Sequence, residues 1–131
     1  MIMYTLRVNR MNSIILILIS VVLGVFGQIS LKHGMKQVGK LELKDLLTPK
    51  VVYLAREGFI ILGIFLYIFA TLIWLVVLSQ EEISFAYPLV SIGYIIVAIL
   101  GKILFNENLS LFRMTGILLI VLGVYLITLK A

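Results

Sequence analysis

The sequence predicts an all-α membrane protein, four transmembrane helices in a compact bundle forming one domain over residues 1–131. Three observations predict it. Of the 131 residues, 63% are hydrophobic and only 13% are charged, far from the composition of an ordinary soluble domain. Four apolar stretches, at residues 12–31, 59–78, 85–105 and 111–129, reach the length of about 20 helical residues that a hydrocarbon core requires. Backbone in lipid must satisfy its own hydrogen bonds, and stretches this long do so as helices, because barrel strands need only about 9 to 11 residues.

The first stretch follows Arg7 and Arg10, an arrangement that imitates a signal peptide. Its apolar run exceeds the roughly 7 to 15 residues of an h-region and lacks a small-x-small cleavage site, so a mature helix is expected. Met11 is an alternative start, which would make residues 1–10 an upstream extension. Within the helix, Ser20, Gly24, Gly27, Gln28 and Leu31 form one stripe. Gln28, Lys32 and His33 place polar groups in and near the membrane, yet no acid occurs along this helix. For a single interfacial histidine, a solvated ring is the commoner outcome than a proton relay.

The one sizeable polar segment is the loop at residues 32–57. Its "KLELKDLL" suits a short interfacial helix, and Thr48 before Pro49 suits an N-cap with proline at the first helical position. The second helix is therefore expected to begin near Pro49 and to surface through Lys50, Arg56 and Glu57, whose stems can snorkel. Lys32, Lys36, Lys40, Lys44, Lys50 and Arg56 in this loop, with Arg113 in the last turn, outnumber Arg7, Arg10 and Lys130 at the termini by seven to three. The positive-inside rule then puts loops 32–57 and 106–113 in the cytoplasm and both termini outside, across the inner (plasma) membrane. The net charge of +5 reflects this topology rather than nucleic-acid binding, and it also draws the loop toward anionic lipid headgroups.

On the second helix, Gly63, Tyr67, Ala70 and Trp74 share a stripe. Trp74 lies near the helix end, where an interfacial anchor and a cargo contact fit equally. The acidic turn with Glu81 and Glu82 suits the outer face. On the third helix, Tyr87, Ser91, Tyr94, Ala98, Gly101 and Lys102 fall within an arc about 100° wide. That face suits close packing with hydrogen-bonded tyrosines and equally the wall of a cargo cavity, since Lys102 lies at depth. Pro88 can kink this helix and free carbonyls. Glu107 can pair with Lys102 or Arg113, or cap the next helix. Gly116 and Gly123, seven apart on the fourth helix, suit close packing within or between protomers.

No cysteine is present, which excludes disulfides and thiol chemistry. Neither a metal-ligand cluster nor a nucleophile with its partners is apparent, so no enzyme, metal or cofactor is expected.

The ordered set of Trp74, "AYP" at 86–88, Ser91, Glu107 before "NLS", Gly116 and Gly123 resembles the small four-helix members of the EamA-like drug/metabolite transporter superfamily, over essentially residues 11–129. Two branches share it, the small multidrug-resistance exporters and the paired subunits of the flippase for undecaprenyl-phosphate-linked 4-amino-4-deoxyarabinose. Helix 1 separates them. The exporters carry a membrane-buried glutamate where this chain has Gly24, whereas the flippase subunits have a small residue there, followed by the "GQ" found here as Gly27 and Gln28, with Lys32 four residues on. A chain without that carboxylate cannot alternate a proton and a cationic drug on helix 1.

The resemblance implies a flippase subunit for a polyprenyl-phosphate-linked sugar or related lipid, working as a homodimer or as a heterodimer with a similar four-helix subunit. Moving a phosphate through hydrocarbon unaided would cost tens of kcal/mol by a Born estimate, so a carrier should offer cations and donors. Gln28, Lys32, Tyr87, Ser91, Tyr94, Lys102 and Arg113 supply them, with Glu107 nearby, although snorkelling explains the basic residues equally well. Two other readings compete. One is an exporter of amines or metabolites, and the other is an assembly subunit whose glycine faces only pack.

Overall fold

In a computed structural model that describes residues 10–129, four helices are long and apolar enough to cross a membrane: Met11–Val38, Gly58–Gln80, Ile83–Phe105 and Leu111–Thr128. Arg7 and Lys130, two of the three basic residues on the minority side of the charge count, lie outside the described residues.

The first helix, α1 (Arg10–Val38), runs seven residues beyond the boundary expected at 31. Nothing in "LKHGMKQV" breaks a helix strongly, and lysine stems can carry it out of the apolar layer. It stops at Gly39, whose φ of +90° is the left-handed conformation that glycine adopts at little cost. The Gly39 N–H donates to the Met35 carbonyl at 2.9 Å.

The loop that follows is ordered by Asp45. It sits in a 3-10 turn, Leu43–Leu47, where its Oδ2 accepts the Glu42 N–H at 2.9 Å and its Oδ1 accepts the Lys50 ammonium at 3.1 Å. The Glu42 amide first, and Lys50 second, hold its carboxyl below the usual carboxylate range. Helix α2 (Val51–Arg56) begins two residues after Pro49. Thr48 Oγ1 accepts the Lys50 N–H at 3.4 Å, but Lys50 is the N-cap of α2 and makes no side-chain cap, so Thr48 and Pro49 lie in a turn ahead of the helix rather than at its expected N-cap and first position. Extended backbone at Glu57 then separates α2 from α3 (Gly58–Gln80), and the Glu57 carboxylate accepts the Phe59 N–H at 3.2 Å. The second span thus starts at Gly58 because a side-chain cap there replaces the helical hydrogen bonds that the break gives up.

Small residues set the packing of α3 antiparallel to α1. A Cβ on Gly63 would lie 2.9 Å from the Gly27 carbonyl oxygen, and one on Gly27 would lie 3.2 Å from the Gly63 oxygen. Flanking this contact, Ser20 donates to the Ala70 carbonyl at 3.0 Å and Ser30 to the Phe59 carbonyl at 2.7 Å. Close backbones and hydroxyl donors are how helices associate where lipid offers no hydrophobic drive.

The third span is broken into α4 (Ile83–Leu89) and α5 (Ile92–Phe105). Pro88 supplies no N–H, and the chain responds with tighter turns: Val90 N–H donates to the Tyr87 carbonyl, and Ser91 donates to the Pro88 carbonyl through both its N–H and its Oγ. The expected kink is therefore a break at residues 90–91. A buried cluster of Ile17, Val21, Val25, Val77, Phe85, Ala86 and Leu89 joins α1, α3 and α4. The last helix, α6 (Leu111–Thr128), starts at Ser110, whose Oγ accepts the Arg113 N–H at 3.3 Å, and it buries none of its residues. It packs mainly against α4 and α5.

Candidate functional site

Between α1, α3, α4 and α5 the bundle opens into a cleft of about 250 Å³. Helix α1 contributes Ser20, Gly24 and Gln28, which recur every four residues along one face. From α3 come Tyr67, Thr71 and Trp74, and from the broken third span come Tyr87, Gly93 and Tyr94. The Gln28 amide donates to the Tyr67 hydroxyl, and Trp74 meets Tyr87 edge to face with ring centroids 6.3 Å apart. Gly24 faces this space bare: a Cβ there would meet nothing within 4 Å. Aspartate and glutamate are absent from the lining.

One helical turn beyond Gln28, about 6 Å of rise, Lys32 forms the second part of the site. Its ammonium lies 3.8 Å from the Glu107 carboxylate. Asn106 takes the left-handed conformation that ends α5, and the chain turns back so that Glu107 covers Gly101. A Cβ on Gly101 would stand 2.8 Å from its Oε2. Arg113 donates to the Asn108 carbonyl at 2.9 Å, which fixes it in the same turn.

Of the residues singled out from the sequence, the cleft therefore gathers Gln28, Tyr87 and Tyr94, and the adjacent end of the bundle gathers Lys32, Glu107 and Arg113. Ser91 is spent on the Pro88 carbonyl at 2.5 Å and is absent from the cleft lining. Lys102 is exposed and makes no ion pair among the described residues. Glu107 pairs with Lys32 rather than with Lys102 or Arg113, and Ser110 caps α6 in its place. Tyr87 and Tyr94 share the cleft across the break at 90–91, whereas Lys102, more than a turn past Val97, the last residue of α5 in the lining, lies beyond it. Trp74 faces the cleft, and His33 packs edge to face on Phe59 at 4.3 Å. Tyr67 and Thr71 were not among the site candidates. Tyr67 was legible through its stripe with Gly63 and Trp74, whereas Thr71 lay just off it. Among the described residues, no three His, Cys, Asp or Glu side chains converge as a metal site.

Comparison with known proteins gives a consistent result. The chain is 33% identical over 124 residues to the probable 4-amino-4-deoxy-L-arabinose-phosphoundecaprenol flippase subunit ArnF of Proteus mirabilis, covering 85% of this chain and 87% of that one. It belongs to the ArnE/ArnF flippase-subunit family. The probable ArnF of Serratia proteamaculans is 34% identical over 115 residues, covering 86% and 88% of the two chains. The probable ArnE of Pectobacterium atrosepticum is 38% identical over 69 residues, covering 53% and 61%. No protein-family model matches the chain, and no solved structure matches it. With four apolar helices and ArnE/ArnF relatives, it is a multi-pass membrane protein.

Proposed function

We propose that the chain is one subunit of a flippase for a polyprenyl-phosphate-linked sugar, the role that the names of its ArnE/ArnF relatives describe for them, and that it works in the inner membrane. The observation that carries this reading is a cleft without carboxylates, whose largely apolar walls carry the Gln28 amide and the hydroxyls of Tyr67, Tyr87 and Tyr94, one helical turn from a lysine. Donors and cations compensate a phosphate head leaving water, while the isoprenoid tail stays in the bilayer. Gln28, Tyr67, Tyr87 and Tyr94 hold the head in the cleft, and Lys32, with Glu107 as its counter-ion and Arg113 in the neighbouring turn, receives the phosphate.

The lysine-rich loop and the 106–110 turn lie at the same end of the bundle, as the Lys32–Glu107 pair requires. The charge count places that end in the cytoplasm and the termini outside. The partner is a second four-helix subunit, like or unlike, seated on the open face of α6, where Leu118, Leu122 and Tyr125 are exposed, whereas Gly116 and Gly123 lie on the half-buried stripe with Ile117, Ile120 and Val124.

The deciding experiment reconstitutes the protein in vesicles, alone and with a similar subunit, and follows a fluorescent polyprenyl-phosphate sugar between leaflets. Transport that falls at least tenfold when Lys32 and Gln28 are both replaced supports the reading. Transport indifferent to both, or proton-coupled uptake of amines instead, would overturn it.

A further inference from the structure

A second cavity, of about 500 Å³, lies between the C-terminal end of α1 and α2, and its lining includes Gln37, Lys40, Lys50, Tyr53, Arg56 and Glu57. Its charges are unevenly committed. Lys50 is held by Asp45 at 3.1 Å, and Glu57 already accepts the Phe59 N–H as the cap of α3. Lys40 and Arg56 make no ion pair among the described residues. The opening therefore presents two free cations, with the Gln37 amide and the Tyr53 hydroxyl as further donors, a set that suits a phosphate oxyanion.

The same segment carries a second, independent feature. Leu43 is 85% exposed and Leu47 is 94% exposed, and Val51 and Val52 are also uncovered, although none of these lies in a membrane-spanning helix. Apolar side chains laid bare beside lysines and arginines match the boundary between acyl chains and headgroups, where the apolar groups enter the leaflet and the cations stay at its surface. A freely diffusing anion would account for the cations and leave the leucines unexplained. A lipid accounts for both.

We propose that this cavity binds the phosphate headgroup of an anionic leaflet lipid, with Leu43 and Leu47 seated among the acyl chains of that leaflet. Arg56 and Lys40 contact the phosphate, and the Asp45–Lys50 pair keeps the loop folded around it. The site is separate from the intramembrane cleft, and it holds a resident lipid whether or not the cleft carries cargo.

The test uses the full chain in phosphatidylcholine nanodiscs doped with phosphatidylglycerol, and counts phosphatidylglycerol retained in native mass spectra as lipid is stripped. Arg56→Gln and Lys40→Gln should each weaken retention at least tenfold, the worth of a charge-assisted hydrogen bond to the headgroup phosphate. Lys44→Gln removes the same charge from the same loop but lies off the cavity, and should change retention less than twofold. Arg56→Lys should retain most of the lipid, which separates loss of the site from loss of the loop. Equal losses from Lys44→Gln and Arg56→Gln would show diffuse attraction instead and overturn the site. Displacement of the retained lipid by millimolar inorganic phosphate would reassign it to a free anion.

Discussion

The Lys32 ammonium lies 3.8 Å from the Glu107 carboxylate and ties α1 to the turn between α5 and α6. Both side chains are about half exposed, so the pair contributes little to folding, on the order of 0–1 kcal/mol. In the proposed site its value would be electrostatic, because an arriving phosphate would compete with Glu107 for Lys32. Lys32→Gln should leave thermal stability within about 1 kcal/mol while weakening binding of a polyprenyl phosphate roughly ten- to a hundredfold, the worth of a charge-assisted hydrogen bond. Glu107→Gln should do the opposite and tighten binding. Lipid titrations of both variants in nanodiscs check the two signs together.

The contact between Gly27 and Gly63 makes a sharper demand on stability. A methyl group on Gly63 would stand 2.7 Å from Leu31 Cγ and 2.9 Å from the Gly27 carbonyl oxygen. Leucine can rotate, but the carbonyl belongs to a helix backbone and cannot. Gly63→Ala should destabilise the bundle by about 1–3 kcal/mol through overpacking, read as a lower midpoint of thermal unfolding in detergent. Gly24→Ala, three residues from Gly27 but open to the cleft, should leave that midpoint unchanged or raise it.

These two glycines also show how far the sequence could be read. Four spans, the small-residue stripes on α1 and α3 and the absence of acid near Gln28 all follow from period and composition, and each is present. Which stripe member faces a neighbour and which faces the cleft does not follow, because Gly24 and Gly27 are alike in sequence and differ only in what lies opposite. The break at 90–91 was similarly half visible. Pro88 announced a disturbance, but the loss of Ser91 to the Pro88 carbonyl depends on how the freed groups were satisfied. The pairing of Lys32 with Glu107 needed the relative placement of α1 and the last turn, which no local pattern encodes.

Asp45 predicts a pH dependence confined to the loop. Its carboxyl is held below the ordinary value of 3.8 by the Glu42 amide first and by Lys50. A depressed pKa in the folded loop means that the carboxylate stabilises it fully above about pH 4, and that the contribution is lost as pH falls through the folded value. The protection factors of amides over residues 40–50, taken against the intrinsic rate at each pH, should fall below about pH 4 while those in the spanning helices hold. Asp45→Asn should show the lowered protection already at neutral pH, since a neutral amide accepts the Glu42 N–H and Lys50 less strongly.

Helix α6 separates folding from assembly. Leu118 and Leu122 are exposed on the side of α6 away from its half-buried stripe of Gly116, Ile117, Ile120, Gly123 and Val124, so Leu118→Trp and Leu122→Trp should leave the unfolding midpoint of the isolated subunit within about 0.5 kcal/mol, as for substitutions away from packed features. A partner subunit seated on that face would be pushed off. Cross-linking or native mass spectrometry should then report loss of the dimer by both variants, and a dimer that survived both would move the interface elsewhere.

Gly24 tests the chemistry of the cleft most directly. It stands bare toward Ser20, Gln28, Tyr67 and Trp74, so Gly24→Glu places a carboxyl group where the described cleft has none and where space exists to receive it. The fold should tolerate the change, because the new side chain enters open volume rather than the Gly27–Gly63 contact. Transport of an anionic lipid should nonetheless fall by at least a hundredfold at neutral pH, since like charges in a poorly screened site repel by several kcal/mol. Acidification that protonates the new glutamate should restore part of it. Gly24→Gln, of nearly the same size but uncharged, should retain far more activity than Gly24→Glu, which distinguishes repulsion from crowding. Equal loss in both variants would mean that the cleft rejects bulk and not charge, and that the missing acid at this position has a steric rather than an electrostatic cause.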